Sequence, residues 1–259
     1  MHRYFIIFAY DGTAYHGWQI QPNGNSVQAE LQRALSLVLR GLRYIRDCDF
    51  CQEIVGAGRT DTGVHAREMV AHFDLSDDLF PRLDEKVCVQ MVYRINRILP
   101  SDIAVNKIYA VSNDMHARFS ARWRTYHYYI HTSKDPFLCH YSLETHYDLD
   151  FELMNKGGMM IQRHHDFAAF CKAGADCRTT ICNVTECRWV QTSATSWYLA
   201  ITANRFLRNM VRAVVGTLFL LGRHKITLED LERILNEGNR SSAGESMPGH
   251  ALFLEKVEY

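Results

Sequence analysis

Apolar positions along the 259-residue chain recur at two spacings, and each change of spacing marks a predicted element. Tyr4 to Tyr10 is a nearly continuous apolar run ending at Asp11-Gly12, which predicts a buried strand and a turn. A Gly/Asn-rich loop, Pro22-Asn23-Gly24-Asn25, leads into Val27, Leu31, Ala34, Leu35 and Val38 at helical spacing. Asn25 or Ser26 can cap that helix and Gly41 can end it. Val70 to Leu75 predicts a strand, and Val87, Met91, Ile95 and Ile98 predict a helix stopped by Pro100. Ala104 to Tyr109 and Thr125 to Thr132 read as further strands.

The second half uses the same grammar. Phe151 to Gln162 predicts a helix weakened at Gly157-Gly158. Val184 to Val190 and Trp197 to Ala203 predict two paired strands joined by a polar Thr/Ser turn. A strongly apolar helix follows, with Asn204 as the expected cap and Leu207, Met210, Val211, Val214, Val215 and Leu218 on one face. Thr227 opens a helix through Leu228, Leu231, Ile234 and Leu235 that Gly238 ends, and Ala251 to Val257 closes as a strand. Strands and helices in mixed order, with hairpins, predict an α+β fold rather than a doubly wound parallel one. Two sheet-plus-helix halves are expected, with a boundary within residues 111–122, and no short-period repeat is present.

Composition narrows the function classes. With 47% apolar and 22% charged residues the chain is ordinary for a globular protein. Its longest apolar stretch, Ala213 to Gly222, is short of the ~20 residues a bilayer span needs. The opening run lacks a signal-peptide core and cleavage site, so no membrane association and a cytoplasmic location are expected. Eight cysteines fit that compartment as free thiols. Cys48 and Cys51 form a lone C-x-x-C, and Cys171, Cys177, Cys182 and Cys187 lack the paired knuckles of a zinc ribbon, so no metal is expected.

Net charge is zero, which by itself does not indicate a nucleic-acid partner. Its distribution is uneven. No acid falls between Glu186 and Glu229, where Arg188, Arg205, Arg208, Arg212, Arg223 and Lys225 occur. None falls between Asp114 and Asp135 either, where Arg118, Arg122, Arg124 and Lys134 lie among Trp123, Tyr126, Tyr128 and Tyr129. Basic and aromatic residues together suit phosphate neutralisation and base stacking, and equally suit a solvated face beside a strand.

The densest polar cluster is Gly56-Ala57-Gly58-Arg59-Thr60-Asp61-Thr62-Gly63-Val64-His65-Ala66, a loop before a strand. Its glycines permit sharp turns or a close approach, and Arg59, Asp61 and His65 follow one another closely. As an arbitrary loop it would hold Asp61 as a turn cap and Arg59 as an ion-pair partner. The spacing is not that of a phosphate-binding glycine loop.

The run G-R-T-D-x-G-V-H-A resembles the signature loop of the TruA family of pseudouridine synthases at every fixed position. The resemblance continues in order along nearly the whole chain. It takes in Tyr10-Asp11-Gly12, Tyr15, Gly17-Trp18-Gln19, Ser26-Val27-Gln28 and Leu99-Pro100-Ser101-Asp102-Ile103. It continues through His116-Ala117-Arg118-Phe119-Ser120-Ala121, the segment Ala203 to Arg212, and Leu252 in the closing strand. It implies the pseudouridine synthase fold, with an N-terminal lobe over 1–115, a C-terminal lobe over 116–259 and a central basic cleft. It also implies a homodimer that acts without a small-molecule cofactor on tRNA uridines at positions 38, 39 and 40.

By the same resemblance Asp61 is the catalytic carboxylate. Arg59 fills the space behind the extruded base, and Tyr126 stacks on uracil and assists removal of the C5 proton. Arg212 is the basic partner of the carboxylate and Leu252 packs on the base, while Arg118, Arg205 and Arg208 fall where RNA contacts are expected. Without the resemblance, Tyr126 reads rather as a core aromatic and Arg212 as a side chain snorkelling from its helix. His65 is expected to be structural, and Trp18 and Trp123 to pack or face RNA. Two features depart from the family pattern: a longer link over residues 42–53, and Arg122-Trp123 in place of smaller residues. A non-catalytic RNA binder and an N-glycosidic hydrolase using Asp61 are the rival classes.

Overall fold

The computed structural model describes all residues except 23, 43–52, 77–82, 173 and 175–177. The Cys48/Cys51 pair, Cys177 and most of the long link after the first helix lie outside the described residues. The chain divides into two units, Met1–Ala121 with Leu254–Tyr259, and Arg122–Phe253. Both mix helices with strands whose described pairings are antiparallel, apart from one short parallel pair. The α+β expectation therefore holds.

In the first unit, β1 (His2–Tyr10) is flanked by β3 (His65–Leu75) and β4 (Ile103–Val111). A short strand, β2 (Val55–Gly56), pairs with β3. Tyr4, Ile6, Phe8 and Tyr10 alternate onto one fully buried face of β1, as the period-2 geometry of a strand requires. Helix α1 (Val27–Gly41) buries Val27, Leu31, Ala34, Leu35 and Val38, the predicted stripe. Ser26 is its cap, accepting from the Ala29 N–H at 3.3 Å, while Asn25 accepts from the Ser26 N–H. Helix α2 (Glu85–Asn96) starts two residues earlier than the apolar pattern indicates, because Asp84 caps it through the Val87 N–H. Its last residue, Asn96, exchanges two hydrogen bonds with the Val105 backbone and so ties the helix end to β4.

The final strand, β9 (Leu252–Glu258), belongs to this unit from Leu254 onward. Glu255 pairs with Arg67 at 3.1 Å and the Val257 N–H reaches the Glu68 carboxylate. His72 on β3 is buried, and its Nδ1 accepts from the Ala117 N–H at 3.2 Å. Burial, then the nearby Arg3 charge, pushes this imidazole down to about 4.

In the second unit, β5 (Trp123–His131) pairs with β8 (Ser196–Ala203), and β8 forms a hairpin with β7 (Val184–Ser193). A two-residue strand, β6 (Leu143–Glu144), runs parallel to β5. Helix α3 (Phe151–Arg163) carries the two glycines expected to weaken it. They instead let it come close to its neighbours. A Cβ on Gly158 would lie 2.2 Å from the Cys187 carbonyl oxygen of β7. One on Gly157 would lie 2.5 Å from a Leu221 methyl on α4 (Met210–Gly222). Nearly all of α4 is buried, as an apolar-all-round helix requires. Helix α5 (Leu228–Glu237) follows, with a Thr227/Asp230 capping box and left-handed Gly238 as its C-cap.

One expected boundary is corrected. Helix α4 begins at Met210, not after Asn204, and its N-cap Asn209 is left-handed at φ 68°. Asn204 instead joins β strands: its Oδ1 accepts from the Asn183 N–H and its carbonyl accepts from Arg124. Leu207 is buried ahead of the helix, so apolar spacing alone extended the helix too far. Among the described residues, no helix is long and apolar enough to cross a membrane.

Two outcomes follow from this packing. Gly158→Ala gains ~1 kcal/mol of helix propensity but clashes with backbone, so a net loss of about 1–3 kcal/mol is expected in urea unfolding. A stabilised variant would show that α3 can move off β7. Because the folded pKa of His72 lies below its ordinary value of 6.5, His72 stabilises the neutral-pH protein and this contribution is lost as pH falls from 6.5 towards 4. Urea midpoints should fall across that window, and His72→Asn, which keeps an acceptor for Ala117, should flatten the fall.

Candidate functional site

In the first unit the signature loop spans the gap from β2 to β3 and is clasped by the loop that follows β1. The Trp18 N–H donates to the Thr60 carbonyl at 3.2 Å and the Gly63 N–H to the Tyr15 carbonyl at 3.4 Å. Tyr10 and Thr60 share a buried hydroxyl–hydroxyl hydrogen bond of 2.8 Å. The approach is too close for side chains at two glycines. A Cβ on Gly12 would lie 2.1 Å from the Val64 carbonyl oxygen, and one on Gly17 would lie 2.2 Å from that of Thr60. Gly17 also has φ of 91°, and Gly63 within the loop has φ of 74°, where L side chains are strained.

Asp61 occupies the turn itself. Its carbonyl accepts from the Val64 N–H at 3.2 Å, so residues 61–64 form a closed turn, and its side chain is half-buried. Arg59 is exposed while its neighbour Thr60 is buried. His65 is 1% exposed. Its Nδ1 lies 3.0 Å from both the Gly12 N–H and an Asp11 carboxylate oxygen, and it can accept from the first or donate to the second. Either bond fixes the ring between the two loops, so the structural role expected for His65 is what the geometry supports. Trp18 packs inward at 3% exposure, against Phe8 and over Gly56.

A third block joins the clasp. The Tyr15 hydroxyl donates to Asp102 at 2.6 Å, and the Asp11 N–H donates to the Asp102 carbonyl at 2.9 Å. Burial and this carboxylate raise the Tyr15 phenol well above its ordinary value, so Tyr15 acts here as a fixed donor. The role of Asp102 was absent from the sequence reading; its only signal was membership of the Leu99–Ile103 block.

In the second unit, Tyr126 lies on β5 opposite Ile201, on the same face as Tyr128 and Ile130. Tyr128 and Ile130 are fully buried, whereas Tyr126 is half-buried with its ring edge-on to Phe206 at 5.2 Å. Arg212 stands in the first turn of α4 and is half-buried. It exchanges two hydrogen bonds with Met247: its Nε donates to the Met247 carbonyl, and its own carbonyl accepts from the Met247 N–H. The next carbonyl, Pro248, accepts from the Tyr128 hydroxyl at 3.0 Å. Burial raises the Tyr128 phenol, with the Arg212 charge opposing. The segment 239–248 is itself clamped on α4. Arg240 donates to the Gly244 carbonyl and Ser246 hydroxyl, Ser246 accepts from Asn209, and Gly216 and Gly244 sit backbone to backbone. Sequence reasoning missed this strap, which has no periodicity and offers only glycines and a Met-Pro-Gly run.

Leu252 is 5% exposed at the start of β9. Arg205 is half-buried, and Arg208 and Arg118 are exposed. In the basic window between Glu186 and Glu229, Arg188 pairs with Glu186 at 2.7 Å, and the Arg223 guanidinium lies 3.7 Å from the centroid of the Tyr147 ring. Among the described residues, no group of three or more His, Cys, Asp or Glu side chains is arranged to hold a metal ion.

The clasp makes a testable demand. Gly17→Ala should cost about 2 kcal/mol or more in unfolding free energy, from left-handed strain plus the Thr60 contact. It should also remove hydrogen-exchange protection at the Trp18 amide; retained protection would mean that the two loops are not locked together.

A family model described as tRNA pseudouridine synthase matches residues 164–259. The chain is 48% identical to the tRNA pseudouridine synthase A of Bacteroides fragilis, over 99% of this chain and 96% of that protein. It is 48% identical to the protein of that name from Bacteroides thetaiotaomicron, over 100% of this chain and 91% of the relative. It is 46% identical to that from Porphyromonas gingivalis, over 100% and 98%. At such identity, across blocks that the clasp and strap show to be spatially interlocked within each unit, the chain belongs to the tRNA pseudouridine synthase A family, enzymes that isomerise uridine to pseudouridine.

Proposed function

We propose that the protein converts uridine to pseudouridine in the anticodon stem-loop of tRNAs, at positions 38, 39 and 40, with Asp61 as the reacting carboxylate. The observation that carries this reading is the Asp61 turn, held from both sides by glycine-permitted backbone contacts in a family member. Backbone fixed on both sides of the half-buried Asp61 carboxylate suits a group that must meet its target in one geometry.

The reaction breaks the C1′–N1 bond, turns the uracil and forms a C1′–C5 bond. The C5 proton leaves and N1 gains one, so the base is conserved atom for atom. A carboxylate serves such a sequence as nucleophile or as stabiliser of an oxocarbenium-like sugar. The target base has to leave its stack first. In the proposed scheme Arg59 occupies the place of the extruded base and Tyr126 stacks on the uracil and assists loss of the C5 proton. Arg212 is the basic partner of the Asp61 carboxylate, and Leu252 packs on the base. Arg118, Arg205 and Arg208 are assigned to the RNA backbone. Reaching three neighbouring uridines suits recognition by shape and backbone, and a homodimer working in the cytoplasm completes the proposal.

The test is tritium release from C5-labelled uridine in unmodified tRNA transcripts that keep one uridine among positions 38, 39 and 40. Asp61→Ala should lower release more than about 10³-fold, the scale of losing a reacting side chain, with tRNA binding retained. Binding without release by the unaltered protein would leave an RNA-binding protein. Appearance of free uracil would make it a glycosidic hydrolase.

A further inference from the structure

Residues Met115 to Ser120 form a turn in the first unit whose backbone is fixed from all sides. The Met115 carbonyl accepts from Arg3 at 2.9 Å, the Ala117 N–H donates to His72, and the Ala117 carbonyl accepts from the Tyr259 hydroxyl at 2.7 Å. Within the turn, the His116 N–H donates to the Ser120 hydroxyl and the Ser120 N–H to the His116 carbonyl, both at 2.9 Å. The His116 Nδ1 accepts from the Arg118 N–H at 3.0 Å and the Phe119 N–H at 3.3 Å. That double acceptor role requires a neutral imidazole, and burial with the charges of Arg3 and Arg118 holds His116 below its ordinary value.

This fixed turn displays a large aromatic ring to solvent. Phe119 is 77% exposed. Its ring is braced by the His116 ring at 4.4 Å, and the Arg118 guanidinium lies 5.7 Å from its centroid. His116 is in turn held edge-on by His72 at 4.6 Å. So much backbone ordering around a side chain that buries little area contributes poorly to stability, which points to use outside the fold. An exposed flat ring beside a guanidinium, in a stretch without acids from 115 to 134, matches a base with its phosphate better than an apolar protein surface.

We propose that Phe119, with Arg118 beside it, is a stacking platform for an unpaired nucleobase of the RNA substrate. The proposal rests on the reading of the protein as a tRNA-modifying enzyme. His116 braces the ring, and the solvent-exposed part of Phe119 takes the base while Arg118 meets the adjoining phosphate.

The experiment compares Phe119→Ala, Phe119→Leu and Phe119→Tyr for binding of unmodified tRNA, for steady-state tritium release, and for mass in solution by light scattering. Since the side chain is exposed, melting temperatures should match the unaltered protein. Losing a base–aromatic stack should raise KM and the tRNA Kd about tenfold in the Ala and Leu variants, with Tyr within about twofold of the unaltered protein. Unchanged tRNA affinity in Phe119→Ala overturns the platform, as does recovery by Leu, which would mean an apolar contact. An affinity loss that appears only together with a change in mass overturns it too, in favour of a contact between copies of the chain. If the unaltered protein neither binds tRNA nor releases tritium, the functional reading itself fails; an active protein with an unaffected Ala variant sinks the platform alone.

Discussion

The close passage of two backbones, residues 12–18 against residues 60–64, is the constraint on which the rest of the first unit depends. It exists because Gly12 and Gly17 lack a Cβ where one would overlap a carbonyl oxygen. Peptide groups drawn that near must be paired, and they are: Trp18 with Thr60, Gly63 with Tyr15, and the Gly12 N–H facing His65. The hydroxyls of Tyr10 and Thr60 add a buried bond beneath. Asp61 is therefore positioned by contacts its own side chain does not make, and its turn takes its geometry from β1 and β3 on either side.

The second unit solves a similar problem by other means. Arg212 is long and flexible, and one turn of helix does little to orient it. The strap over α4 does so, because Met247 grips Arg212 through both backbone and side chain. The strap can lie that close only because Gly216 and Gly244 face each other, and Arg240 holds its far end. Tyr128, donating to Pro248, fixes the same segment to β5 and leaves the adjacent Tyr126 as the half-buried member of its face. In both units, glycines permit the approach and hydrogen bonds lock it.

The resemblance blocks, scattered along the chain, acquire a physical meaning in this light. Tyr10, Gly12, Tyr15, Gly17 and Trp18 accompany the Asp61 loop because each touches it or packs under it, and Asp102 belongs because it secures Tyr15. His65, without any part in the proposed chemistry, is a buried link between the loops. The segment Met115–Ser120 stands apart: its backbone bonds to side chains of β1, β3 and the chain terminus, and the Phe119 ring is exposed to solvent.

By itself the sequence determined most element types, the α+β class, the N-caps of α1 and α5 and the loop that carries Asp61. Those depend on local properties: side-chain period, capping residues and turn chemistry act within a few positions of one another. Tertiary structure alone decided where α4 starts, since buried Leu207 keeps the apolar spacing in a segment that is not helical. It also turned the two α3 glycines from a weakness into a contact, which depends on a carbonyl of β7 far along the chain. Charge was equally illegible: Arg188 and Arg223 read as part of a basic stretch, yet one pairs with Glu186 and the other covers Tyr147. A residue's partner is set by which distant backbone arrives beside it, and no periodicity in the chain records that arrival.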